Sequence, residues 1–270
     1  MASGPFSSIR WGKNLFILIS GLIILITILF YTLPLISLIL RITPAEFITA
    51  ICEPNVRSAI TLSLVTATTA TIIVVLLGTP LAYMNARIDY PGRKFIETLI
   101  DVPIVLPPSV AGLALLVLFG RRGLIGSYFN ELGITIIFTS VAVIIAQIFV
   151  AGPLYIRQAK SAFAMVDQVY ESAARTLGAG RLLTFIKVTV PLARTGLISG
   201  IILSFARAIG EFGATIMVAG NLPGRTQTMP LAIYGFMQSD LTASIALSIV
   251  LIAISFIILI LIRIISGRAA

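Results

Sequence analysis

The sequence predicts an all-α, polytopic membrane protein with six transmembrane helices, and three observations carry that prediction. Hydrophobic residues make up 58% of the chain and charged residues only 11%, less than half the roughly 25% of a soluble domain. Mean hydropathy is +1.09. Uncharged runs long enough to cross a bilayer, about 20 residues each, alternate with short charged clusters, and six of them fit into 270 residues. A net charge of +9 in a soluble protein would point to nucleic acid; here a positive-inside bias accounts for it, and no nucleic-acid motif is present. Cys52 is the single cysteine, so no internal disulfide forms. The sequence has no histidine, which removes the commonest metal ligand and proton relay.

Residues 1–14 are a short basic tail with Arg10 and Lys13. Leu15 to Leu40 is free of charge, longer than the apolar core of a signal peptide and without a small-residue cleavage site, so it reads as a retained first span. Arg41 to Arg57, with Glu46 and Glu53, has room for a short surface helix. Span two is the uncharged run Ser58 to Ala86, followed by a tight polar turn around Pro91-Gly92 that carries Arg87, Asp89, Arg93, Lys94 and Glu97. Span three is placed between Asp101 and Arg121, and span four between Glu131 and Arg157. Span five runs from near Thr195 to near Gly220, and span six from Leu241 to Ile262, capped by Arg263 and Arg268. Residues 1–270 read as one transmembrane domain.

Orientation follows from the basic residues. With the amino terminus inside, the inner segments carry thirteen Lys or Arg (10, 13, 87, 93, 94, 157, 160, 175, 181, 187, 194, 263 and 268) and the outer ones five (41, 57, 121, 122 and 225). Thirteen against five places both termini and the long loop of residues 157–194 in the cytoplasm.

That loop is the only long segment of the second half too polar for lipid, with eight charges from Arg157 to Arg194. Phe163, Val166, Tyr170, Ala173 and Leu177 recur at three- or four-residue steps and are expected on one face of a helix. Gly178 and Gly180 interrupt it, and Leu182, Phe185, Ile186 and Val190 form a second apolar set. Ala173 and Ala174 keep the surface shallow, which lets another protein's backbone approach, and the glycine break sets the angle of the second helix. An ordinary polar loop is the competing reading.

Inside the spans, Arg207 and Glu211 stand out, because a charge at mid-membrane costs about 2.5–3.5 kcal/mol on insertion scales. Four residues apart, they are expected on one helix face. A rise of about 1.5 Å per residue puts Arg207 roughly 20 Å in from Arg194. A polar pair beside a translocation path or dimer seam and an ion pair packing span five both fit; a combined structural and gating role is favoured over anion binding, since Glu211 repels an anion. Gly210, Gly213 and Ala206 are expected on the same helix, where small residues allow close packing or sliding. Pro107-Pro108-Ser109 predicts a break in span three. A half-helix starting there offers free N–H groups to an anion; a plain kink is the alternative. The hydroxyls Thr61, Ser63, Thr66, Thr68, Thr69 and Thr71 of span two either line a wet path or bond their own backbone.

The pattern Ala173-Ala174, three residues, Gly178, nine residues, Val-x-Val-Pro191 resembles the cytoplasmic "EAA" loop of ABC-type importer permeases. The glutamate that the family places directly before the two alanines is Ser172 here, with Glu171 one position earlier. The segments Ser204 to Thr215 and Ala219 to Tyr234, with Leu106-Pro-Pro108 and Gly120-Arg-Arg-Gly123, are similar to the molybdate/tungstate branch, with the sulfate branch close by. The resemblance spans about Ala59 to Ile262.

The resemblance implies a type I ABC importer permease fold, a homodimer in the cell membrane, two ATPase subunits inside and an oxyanion-binding protein outside. It implies that Tyr170, Glu171, Ser172, Ala173, Ala174, Arg175, Leu177, Gly178 and Pro191 form an ATPase-coupling surface. Pro107, Pro108, Ser109, Arg207, Gly210, Glu211 and Gly213 are expected at the gate or path. The chain has no Walker A pattern, since Gly12-Lys13 lacks both the upstream glycine and the following Ser or Thr. No cofactor is therefore expected on this chain; ATP and Mg belong to the partner. An ion-gradient transporter is the competitor from another class, with Glu211 as its one intramembrane carboxylate. The lack of histidine, of a cysteine nucleophile within a span and of paired carboxylates argues against a membrane enzyme.

Overall fold

A computed structural model describes residues 6–267, with side chains for residues 16–265. Arg268 lies outside the described residues, as do the side chains of Arg10 and Lys13. Among the described residues the chain is helical and has no strand.

Helix α1 (Phe6–Leu40) is apolar from Phe16 onward, buries none of its described side chains, and packs against the last helix. The short helix expected after it is α2 (Pro44–Cys52). It starts where Thr43 and Glu46 cap each other: Thr43 Oγ1 accepts from the Glu46 amide at 3.3 Å and Glu46 Oε2 from the Thr43 amide at 2.8 Å, which satisfies two end donors at once. Helix α3 (Pro54–Arg87) is span two, with Pro54 in its first turn, where no N–H is needed.

Span three is broken, as Pro107-Pro108-Ser109 predicted, but it begins before the expected Asp101–Arg121 bounds. It is two helices, α4 (Arg93–Val105) and α5 (Pro108–Phe119), bent by 114° at Leu106-Pro107. The paired prolines force the break, and the first helix starts eight residues early because Arg93 bonds Glu97 along its first turn at 3.0 Å. A short helix, α6 (Gly126–Glu131), follows, which no sequence signal marked. Span four is α7 (Ser140–Ala164), displaced from Glu131–Arg157 toward the loop. Thr139 caps its start, accepting from the Ala142 amide. Its end runs past Arg157 because Ala159, Ala162 and Phe163 continue the buried face while Arg157 points outward.

The loop is not one continuous helix from Phe163 to Leu177. After α7 ends, Asp167 accepts from the Val169 amide at 2.9 Å and caps a new helix, α8 (Gln168–Thr176). Phe163, in the last turn of α7, and Val166, in the link after it, are therefore core residues, whereas Tyr170 on α8 and Leu177 just past its end are exposed. The chain returns through α9 (Arg181–Thr184) and a π turn (Phe185–Thr189) into α10 (Val190–Ile209). Span five does not reach Gly220 unbroken. It stops at Ile209, and α11 (Gly213–Ala219) follows a three-residue interruption. Gly210 and Gly213 thus flank a break rather than share a helix with Ala206. Helix α12 (Met229–Phe236), unmarked in the sequence reading, precedes span six, α13 (Leu241–Gly267).

Helices α3, α7 and α10 pack around one another with α7 in the centre. The seams are alanine- and glycine-rich: a Cβ on Gly196 would lie 2.5 Å from Ala162 Cβ, and one on Gly78 within 3.0 Å of Tyr155 and Ile156. Small residues let helices approach where lipid supplies no hydrophobic drive. This three-helix core carries two features on its surface: the α7–α10 elbow at one end and the two helix breaks along its flank.

Candidate functional site

The elbow is built around Glu171, the one buried residue of α8. Its Oε1 accepts from Arg87 Nε at 3.0 Å and from Thr189 Oγ1 at 3.0 Å, and its Oε2 from the Tyr83 hydroxyl at 3.3 Å. Arg87 Nη2 lies 2.9 Å from the same carboxylate and also donates to the Val166 carbonyl at 2.7 Å. Arg175, one helical turn on, stands 3.7 Å from Oε2 with its side chain half exposed. Glu171 thus faces into the chain, while Tyr170, Ser172, Ala173, Arg175 and Leu177 face out and Ala174 lies between. Leu177 is 89% exposed, the most open large apolar side chain among the described residues.

Gly178 ends α8 with φ +87°. Its amide bonds the Arg175 carbonyl at 2.9 Å and the Ala179 amide bonds the Ala174 carbonyl at 3.0 Å, the Schellman arrangement that a left-handed glycine closes. Nothing lies within 4 Å of where its Cβ would be, so the glycine is needed for the turn and leaves open space beyond it. Pro191 is exposed in the first turn of α10.

The second site is where the two breaks meet. A Cβ on Gly213 would stand 2.5 Å from Pro108 Cβ, and one on Gly112 would stand 2.9 Å from Ala214 Cα, so α5 and α11 cross backbone against backbone. Arg207 Nη1 and Glu211 Oε2 are 2.6 Å apart. Glu211 is not on the α10 helix; it sits in the interruption, and its Oε1 accepts from the Ala214 amide at 2.8 Å. One carboxylate therefore ties the last turn of α10 to the first of α11. Arg207 also borders a cavity of about 350 Å³ walled by Pro103, Leu106, Pro108, Val150 and Leu154.

The half-helix offers less to an anion than the proline break implied. Pro108 has no N–H, and the Val110 and Ala111 amides both bond the Pro107 carbonyl, which leaves Ser109 as the only first-turn donor. In span two, the hydroxyls of Thr66, Thr69 and Thr71 bond carbonyls one turn back at 2.7–2.8 Å. Ser63 accepts from the Met229 amide at 2.6 Å and fixes α12 to α3. Thr61 and Thr68 are exposed. The residues that the sequence reading missed are Tyr83, Arg87 and Thr189, which meet Glu171 only through the fold.

The architecture is a core of helices long and apolar enough to cross a membrane, with two breaks on its flank and an exposed helical elbow at one end. The chain belongs to the family described as the inner membrane component of binding-protein-dependent transport systems, whose model matches residues 75–270. It is 41% identical over 228 residues to the molybdenum transport system permease protein ModB of Mycobacterium tuberculosis, covering 84% of this chain and 86% of that protein. Identity is 39% over 231 residues to the probable transport system permease protein NifC of Clostridium pasteurianum, with coverage of 85% and 81%. It is 36% over 231 residues to the probable sulfate transport system permease protein cysT of Chlorokybus atmophyticus, with coverage of 84% and 81%. The fold matches a chain of a bacterial ABC transporter that imports the acidic polysaccharide alginate, with TM-score 0.70 at 14% identity over 97% of each chain. It also matches the MetNI methionine ABC transporter, with TM-score 0.58 at 16% identity over 79% of this chain and 94% of that one.

Proposed function

We propose that this chain is the non-catalytic permease subunit of an ATP-driven importer for a tetrahedral oxyanion, molybdate or tungstate. The observation that carries the assignment is the identity of about 40% over most of the chain to permeases named for molybdenum transport. The exposed small-faced helix α8, closed by the turn at Gly178, supports the coupling role. Two copies form a homodimer in the membrane, with both termini and α8 in the cytoplasm. Two ATPase subunits hold ATP and Mg and dock on the α8 elbows; a binding protein delivers the anion from outside. Closure of the ATPase pair draws the elbows together and tilts the core helices, so that the path opens outward, and hydrolysis reverses the tilt. The crossing of α5 and α11, with Arg207 and Glu211 beside it, is the part that bends. Selectivity resides in the binding protein, and the permease holds its anion weakly.

Sulfate is the second reading, favoured by the sulfate permease relative and by the shared shape and charge of tetrahedral dianions. ATPase stimulation in the reconstituted complex, with binding protein and molybdate, tungstate or sulfate in turn, decides between them. Stimulation by molybdate and tungstate at concentrations where sulfate is silent supports the first reading. Uptake that persists with the ATPase site inactivated would overturn the ATP-driven reading in favour of an ion gradient.

A further inference from the structure

We infer that the Arg87–Glu171 pair is the internal anchor that makes α8 move with the membrane spans; this inference rests on the reading of α8 as the helix that docks the ATPase. Helix α8 has no apolar residue in the core, and Glu171 is its single buried side chain. Hydrophobic packing therefore does not fix its orientation; the carboxylate contacts do. Those contacts reach two other parts of the chain. Tyr83 and Arg87 belong to the last turns of α3, and Thr189 to the π turn that leads into α10. Arg87 also holds the Val166 carbonyl, pinning the link between α7 and α8. A displacement of α8 is therefore carried directly into α3 and into the π turn that leads into α10. Without these contacts, the links Met165–Asp167 and Leu177–Gly180 on either side of α8 would flex and absorb it.

The register explains why this glutamate does the anchoring. Neighbours on a helix point about 100° apart, so Glu171 turns inward while Ser172 turns out to the surface. The outward position is left to a small hydroxyl. A buried ion pair is weak evidence for stability but suits fixing one geometry, and an anchor needs the second property.

The test uses the complete complex with its ATPase subunit and binding protein in proteoliposomes, with molybdate as the probe. It reads molybdate taken up per ATP hydrolysed. A second readout is the distance between spin labels on Met84→Cys and Gln168→Cys, both exposed positions, in a Cys52→Ser background. Glu171→Gln should lower uptake per ATP by about tenfold, on the scale of measured coupling energies, and broaden the label distance. Glu171→Asp should retain most of both, and Thr189→Val should fall between. A purely structural role would lower the yield of complex without changing uptake per ATP.

An unchanged ratio and a sharp distance in Glu171→Gln overturn the anchor. Should that variant fail to insert, Thr189→Val decides by the same two readouts, because it removes one bond and no charge. Gly178→Trp separates this idea from the docking reading beneath it. If Gly178→Trp still binds the ATPase subunit and transports, docking itself fails. If Gly178→Trp is dead while Glu171→Gln couples normally, the anchor alone fails.

Discussion

Among the described residues two carboxylates are buried against arginines, and they differ in how far the chain travels to pair them. Glu211, inside the break of span five, meets Arg207 four residues away in the last turn of α10. Glu171 meets Arg87 from the end of another span. The arginines differ as well: the Arg207 side chain keeps 34% of its surface open, whereas that of Arg87 keeps 8%. A local pair can hold its geometry while the helices around it move, so Glu211 suits a joint. A pair between distant segments holds only while those segments keep their relative position, so Glu171 suits a tie.

The largest expected effect breaks the elbow side of the comparison. At Gly178, φ is +87° with open space beyond, and holding a non-glycine residue in such a region costs about 1–3 kcal/mol. Gly178→Trp should abolish uptake by intruding on the docking space, with membrane insertion intact. Gly178→Asn tolerates the left-handed turn better and should keep a measurable fraction. Uptake assays beside a membrane-fraction blot check both. Equal uptake in all three proteins would leave the elbow without a docking role.

Next in size is the joint. Glu211→Ala strips Arg207 of its partner and the Ala214 amide of its acceptor. Removing one member of a buried pair costs about 3–5 kcal/mol, and less here because Arg207 is a third exposed. Assembly or uptake should suffer clearly. The double variant Arg207→Met/Glu211→Leu removes both charges with similar volume, which is often neutral for stability. Recovery of membrane level without recovery of uptake marks the pair as part of the gate; recovery of both marks it as packing alone.

This contrast also separates what the sequence made legible from what it did not. Arg207 and Glu211 are charges in an apolar run, and their spacing made the pair visible without a structure. The break between them was hidden, since Gly210 and Gly213 read equally well as a packing face. The proline pair at 107–108 marked the span-three bend because proline excludes a helix hydrogen bond wherever it falls. The elbow was found through its alanines and Gly178, yet the period from Phe163 to Leu177 ran across two helices: α7 ends at Ala164 and Asp167 caps a new start, so Phe163 and Val166 are buried while Tyr170 and Leu177 are exposed. Arg87 looked like part of a polar turn at a span end, and nothing local tied it, Tyr83 or Thr189 to Glu171. Contacts of that range become visible only once α3, α7 and α10 are packed.

A smaller effect sharpens the reading of the joint. Gly213→Ala places a methyl 2.5 Å from Pro108 Cβ, and overpacking of this kind costs about 1–3 kcal/mol. If the α5–α11 crossing bends during transport, the alanine should slow uptake severalfold while the ATPase subunit still binds. Pro108→Ala removes ring atoms from the same contact and should relieve part of the loss in the double variant. Additive losses in a double-mutant cycle would show that the two breaks do not act together.

The smallest effect supplies a carboxylate of the opposite kind, exposed and local, as a control for the two buried ones. The Thr43 amide and then its hydroxyl hold the Glu46 carboxyl below its ordinary range, as expected of an acid whose charged form is hydrogen-bonded. A depressed folded-state pKa means that the capping contribution is fully present above the unfolded value and is lost as pH falls through the lowered one. Below that point α2 should fray from its start, seen as faster amide exchange at Phe47, whose N–H bonds the Thr43 carbonyl at 2.9 Å. Glu46→Gln should show the faster exchange at every pH, because the amide replaces the charged acceptor. Exchange at Phe47 that tracks neither pH nor this substitution would mean that Pro44 in the first turn sets the start of α2 without help from the reciprocal cap.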